Sequence, residues 1–300
     1  MWKDYLRLHW VIFIWGFTAI LGKLMILPSV EIVFYRTLIA FSALYVLLYF
    51  RKRSLRISQS QLIKFLLTGS LIGFHWILFF GAARVSTVSV CLAGMATGSL
   101  WTSLLDPLLT RRQFQWFEVG LGGLALVGLY IIFRFEFDHA LGLTMALASA
   151  ILGAVFTIFN SRFTQFQTPL VITFYEMVGA WLTVALFLPL YGTWISPDGI
   201  QWLPVGWDYL WLLLLAVVCT VYAYAESVRL MKKFTAFAIN LTNNLEPVYG
   251  IVLAAIIFGE HQEMTPEFYM GTGVILLAVL AYPIGKRLTR RRQHVPTIID

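Results

Sequence analysis

The sequence predicts an all-α integral membrane protein with ten transmembrane helices arranged as two inverted five-helix repeats. Three observations predict it: the composition, the spacing of apolar runs and the distribution of basic side chains. Of 300 residues, 59% are hydrophobic and 12% are charged, against about 25% charge in an ordinary globular chain. A helix needs about 20 apolar residues to cross a hydrocarbon core of roughly 30 Å, so this length holds ten crossings with short connectors. Isolated strands leave backbone groups unpaired in lipid, and the runs lack the two-residue alternation of a barrel, so helices are the spanning solution.

The first run, Leu8 to Ile26, follows Lys3 and Arg7 and has no small-residue cleavage site, so it reads as a retained helix. Val30 to Phe50, Leu62 to Ala82, Val88 to Leu109 and Phe117 to Phe133 complete the first five. A polar break from Arg134 to His139 precedes Leu141 to Phe163, Leu170 to Tyr191, Tyr209 to Ser227, Phe234 to Phe258 and Phe268 to Ile284. Residues 1–134 are therefore the expected first repeat, and 135–300 the second repeat with a basic tail. The connector from Gly192 to Trp207 carries Trp194, Trp202 and Trp207 with Pro197 and Pro204, which suits an aromatic segment at the membrane interface.

A net charge of +7 would suggest nucleic acid in a soluble chain, but here position decides. With the amino terminus in the cytoplasm, Arg84 and Arg134 fall outside, Lys23 and Arg36 stay in the membrane, and the other 18 of the 22 basic residues fall inside. That is the bias of the positive-inside rule, and it places both termini of a multi-pass cell-membrane protein in the cytoplasm. Membrane lipids and a small-molecule substrate are the expected partners, not nucleic acid. Cys91 and Cys219 are single thiols in apolar runs, so they build neither a disulfide framework nor a CxxC metal pattern. No cofactor or metal is expected.

The halves answer each other. Phe34-Tyr35-Arg36, after Pro28, matches Phe174-Tyr175-Glu176, after Pro169, at an offset of 140. Gly120-Leu121-Gly122 matches Gly271-Thr272-Gly273 at an offset of 151, and aligning the fourth helix with the ninth sets Arg112 opposite Glu260 at 148. Five helices per half is an odd number, so the second half enters from the opposite side of the membrane. An arginine in the inner copy and a glutamate in the outer one agree with that inversion.

Trp15-Gly16 in helix one, proline then arginine in helix two, and Asn240, Asn243, Asn244 and Glu246-Pro247 followed by Gly259-Glu260 in helix nine carry a family resemblance. Together with the two five-helix halves they resemble the EamA family of the drug/metabolite transporter superfamily, over nearly the whole chain. The resemblance implies export or exchange of small metabolites, often amino acids, through a central cavity. The chain departs from the pattern in having Gly98-Ser99 where the second half has Glu246-Pro247, and Arg111-Arg112 where the family often keeps a glutamate.

An ionisable side chain deep in a span costs about 2.5–3.5 kcal/mol on insertion scales and persists where it meets a cavity or a partner. Arg36 offers a fork for a carboxylate, against a structural bridge, with Glu31 as a local partner, or snorkelling to the interface. Glu246 sits mid-helix, and Asn240, Asn243, Asn244, Glu246, Pro247 and Gly250 share an arc of about 160°, either a cavity face or inter-helix glue. His75 lies deep beside Trp76, at the level of Tyr222 and Tyr224, as a substrate or proton group or as a satisfied core histidine. Trp101 and Tyr175 would complete an aromatic lining or simply pack. Glu176 mirrors Arg36 and would meet an amine or take a proton, or pair with Arg162.

Lys23 and Asp106 lie near helix ends and are not expected in a site. Gly120, Gly122, Gly123 and Gly128, with Gly271 and Gly273, suit close packing or association of two copies as a homodimer. The expected function is a secondary transporter of small amphipathic metabolites, amino acids or related zwitterions, by alternating access around a midplane cavity. An intramembrane enzyme acting on lipids is the alternative, although HExxH, GxSxG and the phosphate loop are all missing. A structural membrane subunit would need no cavity.

Overall fold

A computed structural model describes residues 2–133, 139–258 and 266–292, all without strands among the described residues. Residues 134–138 of the expected outer break and the Gly259-Glu260 pair lie outside them. Among the described residues seven helical stretches are long and apolar enough to cross a membrane: Trp2–Leu24, Ser29–Phe50, Gln59–Val85, Val88–Thr110, Ala140–Phe163, Pro169–Trp194 and Asp208–Leu230. Trp116–Gly128 and Tyr269–Tyr282 are shorter apolar helices.

Several of the expected spans are built from more than one helix. The first divides at Phe17 into α1 (Trp2–Gly16) and α2 (Thr18–Leu24), and α3 (Ser29–Phe50) and α4 (Gln59–Val85) follow unbroken. Pro28 immediately precedes α3, where a missing N–H costs nothing. Ser58 and Gln61 form a reciprocal capping box on α4, with bonds of 3.1 and 3.2 Å. The fourth span divides into α5 (Val88–Met95) and α6 (Gly98–Thr110), followed by α7 (Trp116–Phe133).

In the second half, α8 (Ala140–Phe163) and α9 (Pro169–Trp194) are continuous. The eighth span runs through α10 (Asp208–Ala216), a π-helical turn over Val217–Tyr222, and α11 (Ala223–Leu230). The ninth, expected as one helix, is α12 (Ala236–Asn243) and α13 (Glu246–Phe258), and α14 (Pro266–Arg292) closes the described chain. Its interruption at Asn244-Leu245 stands just before Pro247, which lacks the donor a continuous helix would use. The polar stripe thus splits between two helices.

The core lies between α1 to α5, α8, α9 and the eighth span, with Phe65, Ile72, Phe80, Leu44 and Leu92 fully buried. α4 and α9 approach almost backbone to backbone: a Cβ on Gly179 would meet the Leu66 Cα at 2.7 Å, and one on Gly69 would run into the Glu176 carbonyl. α7 packs mainly along α14, where a Cβ on Gly128 would meet the Gly271 carbonyl at 2.6 Å. Gly120, Gly123 and Gly273 have open space where a Cβ would go, so only part of the expected glycine set makes close contacts within the chain.

The connector 195–207 folds against α3: Glu31 accepts the Gln201 N–H at 3.2 Å and the Tyr35 hydroxyl donates to the Trp202 carbonyl. Asp208 accepts the backbone N–H groups of Ile26 and Leu27 at 3.0 Å each, and Arg84 donates to the carbonyls of Gly22, Met25 and Leu27. One end of the bundle is stitched together by these polar contacts. At the other, Arg112 bridges Asp106 and Glu118, and Lys233 pairs with Asp4 at 2.8 Å.

Candidate functional site

A cavity of about 90 Å³ lies among α1 to α6, α8, α11, α12 and α13. A water needs about 10–15 Å³ of such space, so there is room for several waters or one small solute. Both halves contribute. Trp15, Thr18, Arg36, His75, Trp76, Phe79, Met95 and Gly98 come from the first, and Ala150, Gly153, Ala154, Phe156, Thr157, Tyr224, Ser227, Met231, Ile239, Asn240, Asn243 and Glu246 from the second. Its small side is legible as chemistry: Ala150, Gly153, Ala154 and Thr157 recur at the three- and four-residue spacing of one helix face, so α8 leaves room where bulkier residues would fill it.

Arg36 reaches the cavity from α3, four residues beyond the buried Ile32 on the same helix face. Its guanidinium carbon lies 3.7 Å from the centre of the Trp76 ring, and its Nε donates to the Thr220 hydroxyl at 2.7 Å. The expected partner Glu31 is engaged by Gln201 instead, because it sits more than one turn nearer the connector. Among the described residues no carboxylate is within ion-pair distance of Arg36. The guanidinium therefore stacks on an aromatic face with its fork free for an incoming acid.

Thr220 stands in the π turn, where its hydroxyl donates to the Leu215 carbonyl five residues back at 2.9 Å. The same turn leaves the Cys219 carbonyl to accept the Trp15 indole N–H at 3.1 Å. One extra residue in a helical turn thus anchors two cavity walls, a role such turns often take at functional sites.

The acidic side chain of the lining comes from α13. Glu246 is its first residue, half-buried, and lines the same cavity as Arg36. A carboxylate in the first turn of a helix lies at the positive end of the dipole. Beside it, Asn240 donates to Thr102 at 2.7 Å and accepts from Asn243 at 3.3 Å and from Thr157 at 3.4 Å. The buried side-chain oxygen of Asn243 has no hydrogen-bond partner.

His75 is on the wall, its Nδ1 2.8 Å from the Ser149 carbonyl, and the Ser149 hydroxyl donates to the His75 carbonyl at 2.8 Å. Tyr224 stands edge-on to Trp76 with centroids 6.2 Å apart. The structure thus brings together Arg36, His75, Trp76, Tyr224, Asn240, Asn243 and Glu246.

Five other candidates lie off the lining. Trp101 turns its indole N–H to Thr97 at 3.2 Å, and Tyr175 donates to the Leu55 carbonyl at 2.7 Å in the loop before α4. Tyr222 points outward from the π turn, half-exposed at 47%. Asn244 is buried and donates to Ser99 at 3.0 Å, joining α12 to α6. Glu176 is one layer behind the cavity, accepting from Tyr224 at 3.0 Å and Asn160 at 3.4 Å, while Arg162 reaches toward the Thr110 carbonyl instead. Thr157, Ser227 and Thr220 were not singled out by sequence, and Trp15 only through the family resemblance. They look like ordinary members of apolar runs, and a π turn leaves no periodicity to read.

Membrane-length helices around a polar cavity drawn from both halves define a membrane transporter of the repeat-built type. The chain belongs to the EamA-like transporter family, whose profile matches residues 6–134 and 140–282 in two copies, placing it in the drug/metabolite transporter superfamily. No curated protein matches it in sequence. A solved structure, described only as a crystal structure of a protein, superposes with a TM-score of 0.69 over 92% of this chain and 96% of its own, at 16% identity, a likeness of fold. The family is one of transporters, and the lipid-modifying enzyme gains no support from it.

Proposed function

We propose that this protein is a secondary transporter that carries a small amphipathic solute, an amino acid or related zwitterion, across the cell membrane. Ten crossings in two inverted halves, with both termini cytoplasmic, form the scaffold, and one half rocks against the other to open the cavity alternately. Exposed Arg51, Lys52 and Arg53 at the end of α3 support that orientation.

The observation that carries the reading is a basic and an acidic side chain lining one cavity from different halves, Arg36 from the first and Glu246 from the second. Arg36 takes the carboxylate with the two nitrogens left by Thr220, and Glu246 with the Asn243 oxygen takes the ammonium. Trp15, Trp76, Phe79 and Tyr224 receive the apolar side chain. A zwitterion bridging the two charges ties the halves together, so occupancy and rocking are linked.

The test is purified protein in liposomes with labelled amino acids inside and out. Saturable counterflow is expected, strongly weakened in Arg36→Ala and Glu246→Ala while both variants remain folded. Undiminished counterflow in both would overturn the assignment.

A further inference from the structure

We infer that Glu176 is a proton-exchange site, set one layer behind the cavity and joined to it by Tyr224, through which protons couple to solute movement. The inference rests on the transporter reading and adds the coupling ion.

Glu176 is fully buried on α9. Its Oε2 accepts the Tyr224 hydroxyl at 3.0 Å and the Asn160 amide at 3.4 Å, whereas Oε1 has no hydrogen-bond partner. The elements packed around it supply no counter-ion among the described residues. From α11 it faces Tyr224, and from α8 the neutral Asn160, whose neighbour Arg162 is turned to Thr110. α4 presents backbone at Gly69, with its one buried titratable side chain, His75, held on Ser149, and the Arg36 guanidinium of α3 is engaged by Thr220 and Trp76. On α9 itself, Tyr175 is bonded to Leu55.

An ionised carboxyl in such a place has one oxygen unsatisfied and no cation beside it, which a low-dielectric interior strongly disfavours. The neutral acid is therefore the stable form in this arrangement. Tyr224 belongs both to this acid and to the cavity wall. One proton balances the exchange: the Tyr224 hydroxyl passes its proton to Oε2 while its oxygen takes one from hydronium in the cavity, leaving water, and the reverse returns it. The acid loads from whichever compartment the cavity faces and needs no contact with the solute.

The decisive experiment uses the full-length protein in liposomes, comparing amino-acid counterflow at equal pH with net flux under an imposed pH gradient. The wild type is expected to show counterflow and a severalfold change of net flux with the gradient. Glu176→Gln is expected to keep counterflow and lose the response. Should that variant fail to fold, solute-driven proton movement in wild-type vesicles, followed by a lumenal pH dye, still tests the coupling that the inference requires. A gradient response retained in Glu176→Gln, or lost only in His75→Gln, or a wild type that counterflows without moving protons, overturns the inference. Absence of counterflow in the wild type removes the transporter reading itself, and this inference with it.

Discussion

The fourth and ninth apolar runs break in the same way and are chemically unlike. In the first half, Ala96 and Thr97 donate to Ala93 and Gly94, three residues back, at 3.1 and 3.2 Å; in the second, Asn244 and Leu245 donate to Leu241 and Thr242 at 3.2 and 3.0 Å. All four positions correspond at an offset of 148. Both runs tighten into a 3₁₀ turn and start a new helix, yet α6 begins with Gly98-Ser99 and α13 with Glu246-Pro247. The backbone kept its symmetry while the side chains diverged. A symmetric pair of broken helices can therefore frame an asymmetric site, with the cation from α3 of one half and the acid from α13 of the other.

The comparison breaks hardest at Arg36. Arg36→Ala removes the first half's charge, and loss of a charged hydrogen bond of about 1.5–3 kcal/mol predicts a rise in counterflow KM of roughly 10- to 100-fold. Arg36→Lys keeps charge without the fork or the Trp76 stack and is expected to recover only part of it. Glu246→Gln, read in the same assay, is expected to weaken amino acids by about tenfold while sparing analogues that lack the amine. Equal losses for both ligand types would place Glu246 outside amine recognition.

Smaller effects sharpen the packing side. Gly69→Ala and Gly179→Ala push a methyl into backbone across the α4–α9 contact and should cost about 1–3 kcal/mol in detergent unfolding. Gly120→Ala, with nothing within 4 Å of the new carbon, should change stability by less than about 0.5 kcal/mol. Thr220→Val strips the partner from the Arg36 Nε and is expected to raise KM by a few fold, with Thr220→Ser restoring it. A KM unmoved by Thr220→Val would show that the guanidinium is placed by Trp76 alone.

Much of this was legible in the sequence because membranes impose coarse rules. Apolar runs of span length located the helices, and ionisable residues too costly to bury idly pointed to Arg36, His75 and Glu246, all of which line the cavity. The failures have a common cause. A helical wheel drawn through Asn240 to Gly250 assumes an unbroken helix, so the turn at Asn244 sends that amide to Ser99 and away from its neighbours. Likewise Tyr222 falls in a π turn that rotates it outward, and Glu176 takes a partner from α11 that no local spacing reveals.

The central claim, one cavity shared by two halves and opened to each side in turn, is tested most directly by thiol labelling of Asn243→Cys. With Cys91 and Cys219 replaced, an impermeant reagent should modify residue 243 when supplied from either side of the membrane, and saturating amino acid should protect it from both. Labelling from one side only, or labelling indifferent to the solute, would contradict it.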